Sequence, residues 1–453
     1  MNDRDTTADV TMTDAITTDA LATDAVEVED PAAWEDRAAR NEARLQAALA
    51  RRAAALTPPL FADGGPAPAS RLFRSFFIGG FECSTHRRRD GVRLDLIAAT
   101  DHDRGAAADY RMLAERGIRT ARDGLRWHLI ETAPGRYDWS SLLPMLRAAR
   151  EAGTQVIWDL SHYGWPDDLD IWSPAFVDRF ARFARAAAKV VRDETDGVPF
   201  YVPVNEISYW AWAGGDVGLM APFGHGRADD LKAVLVRAAI AAIEAVRDVA
   251  PEARFLTAEP AIQVIPRSDG WEDLRAARGH TLAQFDALDF LSGRRRPELG
   301  GRPEYVDVVG VNYYPHNQWV AGDLPTAVDD PRHRPFRELL ADVHARYGRP
   351  VFVSETGIEG DRRADWLRVI GHEVAMARSR GVPVEGVCLY PVTDYPGWEN
   401  GRHCPTGLFG DAAGDGTRPV HGPLAREVAL QQGRIEPDGT TLRPARRSLP
   451  QHG

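Results

Sequence analysis

Two glutamates occupy comparable places in the chain. Glu206 follows the apolar run Phe200-Tyr-Val-Pro-Val204 and Asn205, and Glu355 follows Pro350-Val-Phe-Val353 and Ser354. A single Glu after such a run is ordinarily a solvated loop residue or a helix cap. A pair is different, because two carboxyl groups held roughly 5–5.5 Å apart can open a glycosidic bond with retention. One must stay protonated to serve the leaving oxygen, and the other must be ionised to attack the anomeric carbon. Rigid strand ends can hold two side chains at that separation, whereas flexible loops generally cannot. Glu82 and Glu259 are two further acidic candidates. Both read as structural carboxylates, Glu82 as the partner of an arginine such as Arg122 or Arg126.

The elements that would hold these residues alternate along the chain. Short apolar runs predict strands at Phe76–Phe81, Thr120–Leu125, Gln155–Leu160, Phe200–Val204, Phe255–Ala258, Val306–Val311, Pro350–Val353 and Val384–Leu389. Amphipathic stretches between them, including Leu142–Ala152, Pro174–Arg192, Leu231–Val249 and Arg363–Arg380, predict helices. Eight strands alternating with helices over this length imply an α/β protein, a single (β/α)₈ (TIM) barrel. A doubly wound open sheet is the competitor on periodicity alone, but the G-x-G-x-x-G signature after a first strand is absent. In a barrel, the polar and aromatic residues that crowd after the strands lie on the C-terminal face, where active sites are found.

The ends of the chain read differently. Residues 1–30 are acidic and Thr/Ala-rich, with Thr-Asp-Ala recurring at Thr13, Thr18 and Thr23, a composition that predicts disorder. Pro31–Leu56 reads as a helix that Pro58-Pro59 ends, followed by the linker Asp63-Gly-Gly-Pro-Ala-Pro. The expected organisation is an extension at 1–70, the catalytic barrel at 71–411 and a short C-terminal tail at 412–453.

Taken in order, the strand-end motifs resemble glycoside hydrolase family 1, the β-glucosidases and their relatives, from about Phe76 to Gly410. That family carries T-F-N-E-P on strand four, and here the sequence is Pro203-Val-Asn205-Glu206-Ile207; its I-T-E-N-G on strand seven appears as Val353-Ser-Glu355-Thr-Gly357. The resemblance implies that Glu206 is the acid/base, Glu355 the nucleophile and Asn205 the contact to the sugar 2-hydroxyl. The family's R-F-S-I-S-W matches Arg122-Asp-Gly-Leu-Arg-Trp127, which would set Arg122 beside the nucleophile. H-W-D-L-P matches His162-Tyr-Gly-Trp-Pro166, implying His162 against the sugar hydroxyls. G-I-N-Y-Y matches Gly310-Val-Asn312-Tyr313-Tyr314, implying a hydrogen bond from Tyr314 to the nucleophile.

The departures are specific. Ile207 replaces a proline, and His86 falls where a sugar-binding Gln is expected. After strand eight, Tyr390 replaces the Trp under the sugar ring, and Gly397 replaces the Glu that grips the distal hydroxyls. Trp398, in a Gly/Pro-rich loop, is the tryptophan expected to stack on sugar. These changes imply retained bond-cleaving machinery with altered recognition of glucose or galactose.

Composition bounds the rest. The 453 residues carry a net charge of −11, which argues against nucleic acid or an anionic membrane as partner. Three distant cysteines, Cys83, Cys388 and Cys404, suggest neither disulfides nor a zinc site. No apolar run approaches a membrane span, and the first thirty residues lack a secretory pattern, so a cytoplasmic location is expected. Twelve tryptophans suit either core packing or an aromatic-lined pocket. The arginine triplets Arg87–Arg89 and Arg294–Arg296 read as solvated faces; at the mouth they would select an anionic sugar.

The expected function is a retaining β-glycosidase, hydrolysing or transferring a small-molecule or oligosaccharide β-glycoside through a covalent intermediate, with no cofactor and no metal. The alternative is a catalytically silent carbohydrate-binding barrel. An aldolase or a metal-dependent hydrolase lacks the Lys or the His/carboxylate ligand set it would need.

Overall fold

The computed structural model describes residues 31–56 and 72–435. The Thr-Asp-Ala segment, the Asp63–Pro68 linker, Arg71 and residues 436–453 lie outside the described residues.

Eight parallel strands form a closed barrel: β1 (Phe77–Gly80), β2 (Thr120–Gly124), β3 (Gln155–Asp159), β4 (Phe200–Val202), β5 (Arg254–Pro260), β6 (Val308–Asn312), β7 (Val351–Thr356) and β8 (Val384–Leu389). Each pairs with its neighbours in sequence, and β1 closes on β8. The strands are buried almost throughout, because helices cover one face and barrel-interior side chains fill the other. Ile78, Ile157, Phe200, Val202, Leu256, Val308, Phe352 and Cys388 fill the interior. Phe73 packs 5.5 Å from both Phe200 and Phe352 in the same cluster. The barrel is a packed core, not a pore.

Helices follow the strands: α2 (His102–Ala114), α3 (Leu143–Ala152), α4 (Ala175–Glu194), α5 (Ala228–Arg247), α6 (Trp271–Ala283), α7 (Phe336–Tyr347), α8 (Arg363–Ser379) and α9 (Gly422–Ile435). In α4, Phe176, Phe180, Phe183, Ala187 and Val191 recur every three or four residues and form the buried stripe. Pro at its first turn starts α3, and Gly153, at φ 69°, ends it in the left-handed conformation that only glycine adopts freely.

Two segments outside the repeating pattern tie the molecule together. An N-terminal helix, α1 (Pro31–Ala55), packs on α8 and on residues 323–329. Leu45 and Ala48 meet Ala327, and Arg37, Arg51 and Arg52 pair with Asp323, Asp329 and Glu373. At the other end, α9 packs on α8, and Gln432 donates to the Arg116 carbonyl just past α2. It therefore takes the place of the barrel's eighth helix, although it lies beyond residue 411, where the sequence reading ends the barrel. A Gly/Pro/Asp-rich loop at 410–419 separates it from β8 and interrupts the periodicity.

Candidate active site

The strands aim the site residues. Arg122 and Asp159 share the inward parity of Ile157, with which Arg122 pairs in register, so both point into the barrel at its C-terminal end. On β7, Phe352 and Ser354 point inward, and strict alternation would turn Glu355 outward. Register shifts between Val353 and Glu355 against β6, and between Val353 and Thr356 against β8, break that alternation. The irregularity lets Glu355 reach the same cluster, a use of bulges typical of barrel rims. Gly80 is required by close approach: a Cβ there would lie 2.3 Å from the Tyr390 ring.

Glu206 is held by its backbone as firmly as by its side chain. It adopts φ 41°, ψ 63°, a conformation uncommon for any residue but glycine. Its amide donates to the Ala258 carbonyl at 2.8 Å. The Glu259 carboxylate accepts the next two amides, Ile207 at 2.6 Å and Ser208 at 3.1 Å, and so anchors the short helix Ile207–Trp210 that starts there. Glu259 therefore acts on the turn that presents Glu206.

The two glutamates have unlike partners. Glu355 Oε1 accepts from Arg122 Nη1 at 2.7 Å and Oε2 from the Tyr314 hydroxyl at 2.9 Å. Glu206 Oε2 accepts from the Tyr163 hydroxyl at 2.6 Å and Oε1 from Asn312 Nδ2 at 2.8 Å. Asn312 itself pairs in register with Glu355 through the backbone, so one residue links the two positions. Burial pushes both carboxyls up to about 7. On Glu355 the Arg122 charge opposes burial, while the Glu206 charge adds to it. The ion pair at Glu355 and the neutral donors at Glu206 bias the pair toward ionisation at Glu355 and protonation at Glu206.

Arg122 organises the floor of the site. It is fully buried and spends its remaining donors on Asp159 (3.0 and 2.7 Å), Asn205 Oδ1 (2.6 Å) and the Ser354 carbonyl (3.1 Å). His162 Nδ1 lies 2.9 Å from Asp159, and its Nε2 lies 3.0 Å from Asn205 Nδ2. Burial pushes Asp159 up, but Arg122 and His162 more than cancel it and hold the carboxylate below its ordinary range. Asn205 and His162 thus sit in the cluster with their polar atoms engaged by protein. Tyr390 lies beneath Arg122, 5.3 Å from its guanidinium carbon, with its ring parallel to His162. His86, 2.7 Å from Ser84 Oγ, packs 4.8 Å from Trp398, and burial drops its imidazole to about 3, so it is neutral.

One reading needs correction, and others are narrowed. Glu82 pairs with neither Arg122 nor Arg126: Arg126 faces Asp95 and Asp103, and Glu82 accepts from the Ser84 amide at 3.0 Å. Arg87 and Arg88 are neutralised by Asp167 and Asp90, and Arg89 donates to the carbonyls of Val217 and Gly218. The second triplet lies beside Asp286, Glu298 and Tyr347, before β6 and β7 begin and so at the end opposite the mouth. Trp127 is core, packed on Phe176, Phe180 and Phe183. Tyr163, Asn312 and Asp159 carry much of the network and went unassigned in the sequence. Tyr163 and Asn312 stand inside motifs already recognised at strands three and six, and Asp159 ends β3.

Cys83 Sγ, Asp159 and His162 Nδ1 form the one group among the described residues with metal-ligand proximity, all within 4.8 Å. They do not fit a metal. Arg122 already occupies both Asp159 oxygens, and burial, with the Asp159 and Glu82 charges, pushes the Cys83 thiol up, away from the thiolate that a metal requires. All three cysteines are free and buried. No helix among the described residues is long and apolar enough to cross a membrane.

No family model matches the chain, and no curated protein matches it. Solved structures do. The family 1 β-glucosidase from Thermotoga maritima superposes with a TM-score of 0.66, covering 79% of this chain and 98% of that one at 18% identity. The β-glucosidase of that organism in complex with glucoimidazole gives 0.65, covering 77% and 90% at 19% identity, and in complex with deoxynojirimycin 0.66, covering 80% and 98% at 18%. The chain has the (β/α)₈ barrel fold of the family 1 β-glucosidases.

Proposed function

We propose that the chain is a retaining β-glycosidase acting on a small-molecule or oligosaccharide β-glycoside, with Glu206 as acid/base and Glu355 as nucleophile. The observation that carries this reading is the contrast between two neighbouring buried carboxyls: an arginine cation on Glu355 and only neutral donors on Glu206. In the first step a Glu355 oxygen bonds to the anomeric carbon as the bond to the leaving oxygen breaks, and the Glu206 proton passes to that oxygen. In the second, Glu206 takes a proton from water, whose oxygen displaces Glu355 and completes net retention. A sugar hydroxyl in place of that water gives transfer.

The other members of the set have supporting places in this scheme. Arg122 and Tyr314 hold Glu355 ionised and oriented, and Tyr390 fixes the Arg122 plane from below. Asn205 and His162 meet the 2- and 3-hydroxyl side of the ring, and Trp398 and His86 form its distal wall. The likeness to structures holding glucoimidazole and deoxynojirimycin supports a sugar-shaped occupant.

A panel of activated 2-deoxy-2-fluoro β-glycosides tests the reading. The expected result is time-dependent inactivation with the label on Glu355 after proteolysis and mass mapping. Label on another residue, or turnover that never yields a trapped ester, would overturn it, as a silent binding barrel would show no label at all.

A further inference from the structure

We propose that Tyr313 and Gln318 are positioning residues for Glu355, and that the N-terminal helix α1 steadies them from outside the barrel. This rests on the glycosidase reading and concerns how the nucleophile of that same site is held.

Two adjacent tyrosines follow β6, and two adjacent residues a few positions on grip them. Asn317 Oδ1 accepts the Tyr314 amide at 3.0 Å, and Asn317 Nδ2 donates to the Ala261 carbonyl at 2.9 Å. Gln318 is fully buried. Its Nε2 donates to the Tyr313 hydroxyl at 2.9 Å and to the Arg334 carbonyl at 2.8 Å, while its Oε1 accepts the Arg334 amide at 2.9 Å. Tyr313 is fixed on its other sides as well. Its ring stacks on Phe336 at 4.1 Å, its amide donates to the Glu355 carbonyl at 2.9 Å, and its own carbonyl accepts from Thr356 Oγ1 at 2.7 Å. The next residue, Tyr314, gives its hydroxyl to Glu355 Oε2. Gln318 thus holds the backbone of Glu355 through Tyr313, and its neighbour Asn317 holds the turn that carries Tyr314.

Gln318 is held in turn by the excursion that follows it. Residues 321–335 form neither helix nor strand, and an excursion of that length ordinarily needs cover. Thr326 folds back onto Gln318, its amide and hydroxyl donating to the Gln318 carbonyl at 2.9 and 3.1 Å. α1 grips the residues on both sides of Thr326. Its positions 37, 41, 44, 48 and 51 advance by four and three and so form one stripe. Along that stripe Arg37 pairs with Asp323 and Arg51 with Asp329, Asn41 and Arg44 donate to the Pro325 carbonyl, and Ala48, with Leu45, packs on Ala327. Leu49 and Ala53, on the neighbouring face, belong to the main core, and Arg52 reaches Glu373 on α8. One face of α1 is therefore anchored to the barrel while the next presses the excursion toward Gln318.

The far end of this path is a donor to a reacting carboxylate. A shift of Tyr313 that lengthens the Tyr314 hydrogen bond leaves Glu355 to Arg122, so its proton is held more tightly and its attacking oxygen is aimed less well. The other groups around Glu355 are Arg122 with Asp159, and His162, Glu206, Glu82 and Tyr390. None of them is a link in the path, so a change sent along it is read at Glu355.

The experiment follows the pH dependence of inactivation by the fastest 2,4-dinitrophenyl 2-deoxy-2-fluoro β-glycoside of the panel, on the full chain. Dinitrophenolate leaves without a proton, so the acid limb of the profile reports the ionisation of Glu355. Tyr314→Phe is the benchmark and should move that limb to higher pH by about 0.5 to 1 unit, the size of one hydrogen bond. Gln318→Met and Ala48→Glu should move it the same way and lower the plateau rate by about 10-fold. In the Tyr314→Phe background neither should move the limb further, because the donor they displace is already gone.

A limb that moves in Tyr314→Phe but stays in Gln318→Met and Ala48→Glu, even with a lowered Tm, overturns this inference and keeps the glycosidase reading. A shift in Gln318→Met without one in Ala48→Glu overturns the role given to α1. Shifts that persist undiminished in the Tyr314→Phe background show another route and overturn the proposal too. A wild type labelled by no member of the panel removes the glycosidase reading and this inference with it. Should Gln318→Met fail to fold, Tyr313→Phe takes its place. Should Ala48→Glu fail, the double variant Arg37→Glu with Arg51→Glu, which sets like charges against Asp323 and Asp329, decides by the same comparison.

Discussion

Arg122 Nη1 lies 2.7 Å from Glu355 Oε1 while the Nε and Nη2 of the same guanidinium grip Asp159 at 3.0 and 2.7 Å. One buried cation thus serves two buried carboxylates, and its planar fork sets the angle between them. Lysine keeps the charge but has no fork. Arg122→Lys is expected to fold and to lose at least about 100-fold in kcat, the scale of a misplaced reacting group. Arg122→Met leaves Asp159 and Glu355 without a cation and should cost about 3–5 kcal/mol in urea unfolding. A Met variant as stable as wild type would show that the cation is not what holds these carboxylates in place.

The two proposed roles separate by rescue chemistry. Glu355→Ala should lose hydrolysis, and azide or formate should partly restore turnover of an activated substrate, giving a product of inverted configuration. Glu206→Ala should slow poor leaving groups far more than dinitrophenyl leaving groups, because only the former need a proton. Product configuration by NMR and a leaving-group series are the measurements. Wild-type rates in both variants would be incompatible with the assignment.

Tyr163 donates to Glu206 and so favours the carboxylate. Removing the hydroxyl in Tyr163→Phe raises the pKa of an already raised acid. The basic limb of the kcat/KM–pH profile should move to higher pH by about one unit, the equivalent of ~1.4 kcal/mol. A basic limb that stays in place, or moves down, would separate Tyr163 from the protonation of Glu206.

Glu259 acts through the backbone at Ile207 and Ser208. In Glu259→Gln an NH₂ group faces one of those amides, so the turn presenting Glu206 shifts. The expected result is a fall in kcat of about 10- to 100-fold with a smaller change in KM. The same residue bears on stability, since burial lifts its carboxyl from 4.5 to about 7. A pKa higher in the folded than in the unfolded state means that the folded protein holds the proton more tightly. That contribution is complete below about pH 4.5 and is lost as pH rises to 7. Between pH 5 and 8 the Tm of wild type should therefore fall more steeply than that of Glu259→Gln. Parallel Tm curves together with unchanged kcat would dismiss both effects.

Much of the architecture was legible because its signals are local. The eight strand runs predicted from apolar clusters overlap β1 to β8, and the helical stretches at 142–152, 174–192, 231–249 and 363–380 coincide with α3, α4, α5 and α8 within a few residues. The eighth helix was missed because Gly, Pro and Asp between β8 and Gly422 break the pattern that periodicity detects. Trp127 shows the limit from the other side, since motif position marks it and only its neighbours Phe180 and Phe183 reveal a core residue.

The chain's own order of residues determined the barrel, the strand ends that carry Glu206 and Glu355, and the reduced cysteine content, since these follow from spacing along the backbone. Which carboxyl faces a cation, how a bulge turns Glu355 into the mouth, and why Glu82 is left without an arginine belong to tertiary structure. Those outcomes depend on side chains from different strands meeting across the barrel, and the competition for one guanidinium is settled only when the ring closes.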